Sequence, residues 1–212
     1  MVLSQKLYNN CDMKTDLKEQ ILNRIKNRKL SAFSCYDFTD LASYKAISKC
    51  LERLEDLKEI TRIIHGIYCL SRYDETLKQP ILPSVDDIIR CLAKKNQWTI
   101  CPAGEIALNA MGLSTQVPAT YSYLTSGPYK KYLIYGTPVS LKRTMTRELG
   151  HYSSKTLLLI QCLKNLGKDN ITEEDLKMLR NKLTEYDRQK AIKETTAVTS
   201  WIRKEIVRIC QE

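Results

Sequence analysis

Four polar residues at helical spacing carry the sharpest chemical signal in the sequence: Lys45, Ser48, Lys49 and Arg53. They alternate with Ile47, Cys50, Leu51, Leu54 and Leu57, an i, i+3, i+4, i+7 apolar stripe over roughly Tyr44 to Lys58. Such a helix packs its apolar back on a core and turns a cationic, hydrogen-bonding front outward. That is what reading base edges in a DNA major groove requires. The same spacing also describes an ordinary surface helix with a solvated charged face, so the pattern alone does not decide between the two. The next stretch favours the first. In Ile60 to Leu70, branched and aromatic residues flank a central His65-Gly66, which reads as a β-hairpin whose turn needs the positive φ of Gly66. Arg62 and His65 on that hairpin stand where a wing would reach a phosphate or a minor groove.

Catalytic chemistry finds no comparable support. His65 belongs to the turn and His151 follows Gly150 in an expected loop, and neither has an obvious partner. Asp86 and Asp87 are adjacent, so on a helix they cannot face each other, and a capping role suits them better. There is no Gly-x-x-x-x-Gly-Lys phosphate loop and no Ser-x-x-Lys pair of nucleophile and base. The eight cysteines include no C-x-x-C pair, and with two histidines the chain offers no closely spaced ligand set for zinc. Cys50, Cys91 and Cys162 sit in apolar stretches, where a thiol behaves as a small hydrophobe. The chain is therefore expected to be a non-enzyme with no cofactor and no metal. No apolar run approaches the ~18 residues of a membrane span, and the first ten residues lack the pattern of a signal peptide. The expected address is the cytoplasm.

The elements that must position the basic residues follow from the pattern. The first ~12 residues show no period and are expected to form a loose arm. Asp16 reads as an N-cap, with Glu19 three residues on and Leu17, Ile21, Leu22 and Ile25 on one face. An extended stretch follows over 31–36, then a brief helix over 37–41, the helix capped by Ser43, and the hairpin. The order helix, strand, helix, helix, hairpin is that of a winged helix-turn-helix domain, assigned to residues 1–72. Residues 72–83, with Pro80 and Pro83, read as a linker. Residues 84–212 make a second domain: a mixed α/β part over 84–150 and a helical tail over 151–212. Ser84 caps its first helix, Pro102 opens a helix over 103–111 that Gly112 closes, and strands are expected over 120–125, 129–135 and 139–145. The tail reads as helices over 154–166 and from Thr172 through Tyr186, and a last one beyond Val198. The predicted fold class is α+β.

Net charge is +10 with an isoelectric point near 9.2, a balance that favours polyanions, nucleic acid first. Residues 1–72 net +4, and 73–150 and 151–212 net +3 each. Taken by thirds, the charge does not say which part touches DNA.

One further stretch is too polar and too marked by glycine and proline for simple core. Pro102-Ala103-Gly104-Glu105 leads to Asn109-Ala110-Met111-Gly112-Leu113-Ser114-Thr115-Gln116-Val117-Pro118. Physically it is a short helix, a C-cap and an extended exit, in which Thr115 and Gln116 bind a backbone edge or the whole is a structural turn.

These residues resemble a known family. Phe38-Thr39-Asp40-Leu41, Ala46-Ile47-x-x-Cys50-Leu51-x-x-Leu54 and Arg62-Ile63-x-x-Gly66-Ile67-Tyr68 resemble the N-terminal winged helix of the AbiE-type (abortive infection) antitoxins. Pro102-Ala103-Gly104 with the Asn109 to Pro118 string resembles the signature of their second domain, as does Tyr123-Leu124-Thr125-Ser126-Gly127-Pro128. The resemblance covers roughly residues 15–150, and Ala103 stands where serine is usual in that family. It implies an antitoxin of a type IV toxin–antitoxin system, which counters a nucleotidyltransferase toxin encoded alongside without a stable complex being required. The winged helix would bind double-stranded DNA of its own promoter and repress the operon. Lys45, Ser48, Lys49 and Arg53 would read DNA, with Arg62 and His65 on the wing. Gly104, Asn109, Gly112, Ser114, Thr115, Gln116 and Pro118 would form the antitoxin-domain motif. The competing expectation is a winged-helix transcriptional regulator whose second domain senses a ligand or dimerises.

Overall fold

The computed structural model describes residues 16–144 and 146–211; the arm expected over the first ~12 residues, and Met145 of an expected strand, lie outside them. The protein is α+β and folds as two compact units, the first ending at Lys95 and the second beginning at Asn96.

In the first unit α1 (Leu17–Asn27) starts at Asp16, whose side chain accepts the Lys18 N–H as an N-cap. Phe33 then makes an isolated antiparallel bridge to Tyr68, with N···O distances of 2.9 Å in both directions. The brief helix expected over 37–41 falls two residues earlier, as a 3₁₀ turn over Cys35–Phe38. Ser34 and Asp37 close a capping box there and fix the start. Next come α2 (Tyr44–Asp56), capped by Ser43 through the Ala46 N–H, and the antiparallel pair β1 (Ile60–Ile64) and β2 (Ile67–Leu70). The core gathers Ile21 and Ile25 of α1, Ile47, Leu51 and Leu54 of α2, Ile60, and the aromatic group Phe33, Phe38 and Tyr68.

The stretch expected as a linker is instead structured. β3 (Tyr73–Asp74) pairs with β4 (Gln79–Pro80), and the Asp74 carboxylate accepts the N–H groups of Thr76 and Leu77 to hold the turn between them. Helix α3 (Val85–Lys95), begun by a Ser84–Asp87 cap, belongs to the first unit and packs on β2. The domain boundary therefore lies after this helix and not before it. Pro80 and Pro83 mark a tight excursion of one unit rather than the gap between two.

The second unit is built on a four-stranded sheet in the order β5 (Ile100–Ala103), β6 (Tyr121–Thr125), β8 (Thr137–Arg143), β7 (Lys130–Ile134). β6 and β8 run parallel; the other pairs are antiparallel. Two expectations change. Pro102 lies in β5, where an edge strand tolerates the missing N–H, and the helix α4 (Glu105–Met111) starts only after Gly104. The strand expected to return after Ser126-Gly127-Pro128 does not pair with β6, because β8 lies between them. The tail holds α5 (Thr146–His151), α6 (Ser154–Leu166), α7 (Glu173–Asn181), α8 (Glu185–Glu194) and α9 (Ser200–Gln211). His151 ends a helix rather than occupying a loop. The single helix expected from Thr172 through Tyr186 is two, because Thr184 and Asp187 form a second capping box. Tyr186 accordingly points to solvent, at 70% exposure. Ala107, Met111, Leu159, Cys162, Leu163, Leu179, Ile202 and Ile206 form the core of this unit.

Candidate nucleic-acid interface

Helix α2 presents the candidate surface because its own sequence divides it. Ile47, Leu51 and Leu54 are at most 1% exposed, which anchors one side of the helix in the core. At 100° per residue the opposite side must then carry Lys45, Lys49, Glu52, Arg53 and Asp56, and all five are exposed. Among the described residues no ion pair ties Lys45, Lys49 or Arg53 to a carboxylate. Ser48 differs. It lies at the edge of this face, half-buried, and its side chain bonds the Cys35 thiol together with Tyr44. Burial raises the Cys35 pKa, and those two hydrogen bonds work against it.

A tyrosine pair borders the same face on the Ser48 side. Tyr36, from the 3₁₀ turn, and Tyr44, the first residue of α2, are each about half exposed, with ring centroids 5.5 Å apart. A paired aromatic surface open to solvent beside Lys45 offers apolar contact next to cationic contact. Tyr36 and Tyr44 belong to different elements, so no single helical or strand period in the sequence marks the pair.

The hairpin holds the other two candidates, in different states. Gly66 adopts φ +71°, as its turn requires, and His65 is exposed beside it. The His65 carbonyl accepts a hydrogen bond from Lys95 Nζ at 3.1 Å, so the last turn of α3 clamps the hairpin tip. Arg62 is mid-strand, not at the tip. Its guanidinium pairs with Glu55 at 2.6 Å and lies 5.4 Å from the Tyr68 ring centroid. It braces β1 against the end of α2, a positioning contact and not an outstretched one. Burial lowers its pKa, but Tyr68 and Glu55 outweigh that and raise it. The structure thus brings Lys45, Lys49 and Arg53 onto one open face, keeps Ser48 at its edge, and leaves Arg62 committed within the unit.

The second motif is largely a self-bonded helix end. Gly104 takes φ +62° and ψ −143°, a region only glycine enters readily, and so lets β5 turn into α4. Gly112 closes α4 at φ +79° in the left-handed region. Asn109 Nδ2 donates to the Gln116 carbonyl at 2.7 Å, and the Gln116 N–H donates to Ser114 Oγ at 3.2 Å. Pro118 is buried, while Thr115, Gln116 and Val117 are exposed, Val117 at 87%. Of the string, Gly104, Asn109, Gly112, Ser114 and Pro118 shape the loop, and Thr115 and Gln116 are the side chains it offers to solvent.

Residues 20–192 match the profile of a protein family described as "Family of unknown function (DUF6088)". Among solved structures the chain is similar to "Crystal structure of RV2827C protein from Mycobacterium tuberculosis", with 11% identity and a TM-score of 0.46, over 91% of this chain and 75% of that one. No curated protein matches the chain.

Proposed function

The chain belongs to the DUF6088 family, and we propose that it acts by binding: a DNA-binding antitoxin of a type IV toxin–antitoxin system, working in the cytoplasm, that represses its own operon and counters a nucleotidyltransferase toxin. One observation carries the DNA-binding part. The exposed side of α2 holds Lys45, Lys49 and Arg53 without ion-pair partners among the described residues, on a helix whose other side is locked into a core. The unit around it supports a winged helix-turn-helix reading, since the β1–β2 hairpin follows α2 directly and the single Phe33–Tyr68 bridge ties the segment before α2 to it. The antitoxin part is supported by the resemblance of the 102–128 segments, and the toxin is then a functional partner that need not bind stably. Among the described residues no helix is long and apolar enough to cross a membrane.

Titration of the full chain with duplex DNA from the region upstream of its start codon tests the first part. Lys49→Ala and Arg53→Ala should each weaken binding, by about 1–3 kcal/mol where a base contact is lost. Where a phosphate contact is lost instead, the salt dependence should flatten by about 0.9 in log–log slope. Unchanged affinity and slope in both variants would remove α2 from the interface. Co-expression with the neighbouring nucleotidyltransferase tests the second part: failure to rescue growth would leave a DNA-binding regulator alone. That alternative, with a ligand-sensing second unit, is favoured by a cavity of about 200 Å³ lined by Leu157, Ile160, Ile202 and Thr199, where Gln161 is 8% exposed.

A further inference from the structure

The sheet of the second unit carries a charged surface of its own. Between Glu105 and Glu148 the sequence has no acidic residue at all, but five basic ones: Lys130, Lys131, Lys142, Arg143 and Arg147. Four of these lie on β7 and β8. Strand register sorts them by face. Lys131 pairs with Ser140 and Leu133 with Pro138, and Lys142 follows two residues after Ser140, so Lys131, Leu133, Pro138, Ser140 and Lys142 share one face. The opposite face bears Val139, Leu141 and Ile134, each 1% exposed. On the first face Lys131, Pro138 and Lys142 are exposed, Leu133 is 70% exposed and Ser140 is half-buried. At the rim, Lys130 Nζ sits 5.8 Å from the Trp98 ring centroid, and Arg143, Tyr129 and Tyr135 are exposed.

An ordinary solvated surface mixes charges of both signs, and here no strand of the sheet contributes a carboxylate. Lysines on an edge strand also have a protective use, since they deter edge-to-edge pairing. That accounts for Lys130 and Lys131 on β7, which is an edge. It does not account for Lys142 and Arg143, because β8 is paired on both sides. We propose that the exposed face of the β7–β8 hairpin is a second nucleic-acid contact, in which Lys131 and Lys142, with the Ser140 hydroxyl between them, bind the phosphate backbone of double-stranded DNA independently of its sequence. The proposal rests on the DNA-binding reading for its choice of polyanion and adds to it a surface in the other unit.

The test uses the full chain and two duplexes of equal length, one from the upstream region and one of scrambled sequence, titrated across a salt series. Lys131→Ala/Lys142→Ala should weaken both duplexes equally, by about eightfold per lost contact near 0.1 M salt. It should reduce the log–log slope by about 1.8, since each phosphate contact contributes about 0.9. Lys131→Arg/Lys142→Arg should restore the slope, and equal melting temperatures separate this effect from misfolding. If the double alanine variant leaves affinity and slope unchanged while Lys49→Ala/Arg53→Ala weakens binding, this proposal falls and the α2 reading stands. If the sheet variant weakens binding and the α2 variant is silent, the α2 reading falls and this surface stands. Loss confined to the upstream duplex would overturn the proposal as well, because backbone contact carries no sequence information. A wild-type chain that binds neither duplex would overturn both.

Discussion

Replacing Gly66 by alanine tests how the hairpin tip is built, because two separate costs meet at one atom. The first is conformational. Gly66 has φ +71°, and an L-residue held in the left-handed region costs about 1–2 kcal/mol. The second is steric and polar. A Cβ at this position would collide with Lys95 Nζ and lie 3.2 Å from its Cε. Lysine is flexible and will swing away, but only by giving up the 3.1 Å hydrogen bond from Nζ to the His65 carbonyl. That bond is exposed, so its loss costs about 0.5–1 kcal/mol. The sum is about 1.5–3 kcal/mol. For a unit of this size it corresponds to a fall of roughly 6–24 °C in melting temperature. The assay is chemical denaturation of Gly66→Ala, Lys95→Ala and the double variant as a thermodynamic cycle. Lys95→Ala alone should cost less than about 1 kcal/mol. The double variant should cost less than the sum of the singles, since the collision and the broken bond share one partner. Strict additivity would refute the clamp: Lys95 would then not cover the turn, and the hairpin tip would be free of α3. The same variants bear on function, because the clamp sets where His65 stands.

Three further outcomes are expected. Glu194 accepts hydrogen bonds from the Ser153 N–H and Oγ, both at 2.9 Å; burial raises its pKa, but these bonds prevail and hold it below the ordinary value. Its contribution is therefore present above the usual glutamate pKa and lost as pH falls through the lower folded value, so Glu194→Gln should cost about 1–2 kcal/mol in urea denaturation at neutral pH and progressively less below about pH 4. Gly127→Ala should cost about 1–3 kcal/mol and change the tryptophan emission, because its Cβ would meet the Trp98 ring, whose Cγ lies 2.8 Å from that point and which cannot fold aside as lysine does. Burial pushes the Cys91 and Cys162 thiols up to about 12, so native-state alkylation at mildly alkaline pH should spare both and modify the half-buried Cys50 first among the described thiols.

The elements legible in the sequence were those whose caps and periods agreed. Asp16, Ser43, Ser84 and Gly112 mark helix ends where expected, because each acts on its own neighbours. What was not legible depended on pairing across the chain. Nothing local to Tyr129–Tyr135 says that β8 will insert between it and β6. Nothing local to Val85–Lys95 says that this helix packs on β2. Prolines at 80 and 83 looked like a boundary because a tight hairpin and a linker use the same residues. Thr184 is hidden for the opposite reason: Leu176, Leu179, Leu183 and Tyr186 continue a helical period across the break, and the apolar stripe masks the Thr184–Asp187 capping box. The candidate site divides likewise. The α2 face follows from periodicity alone, but Arg62 has its role through Glu55 and Tyr68, contacts no spacing rule supplies. The sheet surface was hidden by averaging over thirds of the chain. Each third nets a few positive charges, and only the positions of the acids reveal a stretch without any.

Those positions also separate what the two surfaces can do. Glu52 and Asp56 sit among the basic residues of α2, whereas no acid occurs on β7 or β8. A carboxylate facing DNA repels phosphate, so an exposed face that keeps one is poorly suited to sequence-independent affinity. A carboxylate can, however, accept a hydrogen bond from cytosine N4 in the major groove, a contact that discriminates. Glu52→Gln should therefore strengthen binding to a scrambled duplex and reduce the ratio of upstream to scrambled affinity. If both duplexes gain equally, Glu52 only repels, and discrimination must come from the other α2 side chains. If neither gains, the side of α2 that bears Lys49 and Arg53 does not face the phosphates, and the order of the two surfaces is reversed: the sheet binds and α2 stands away from the DNA.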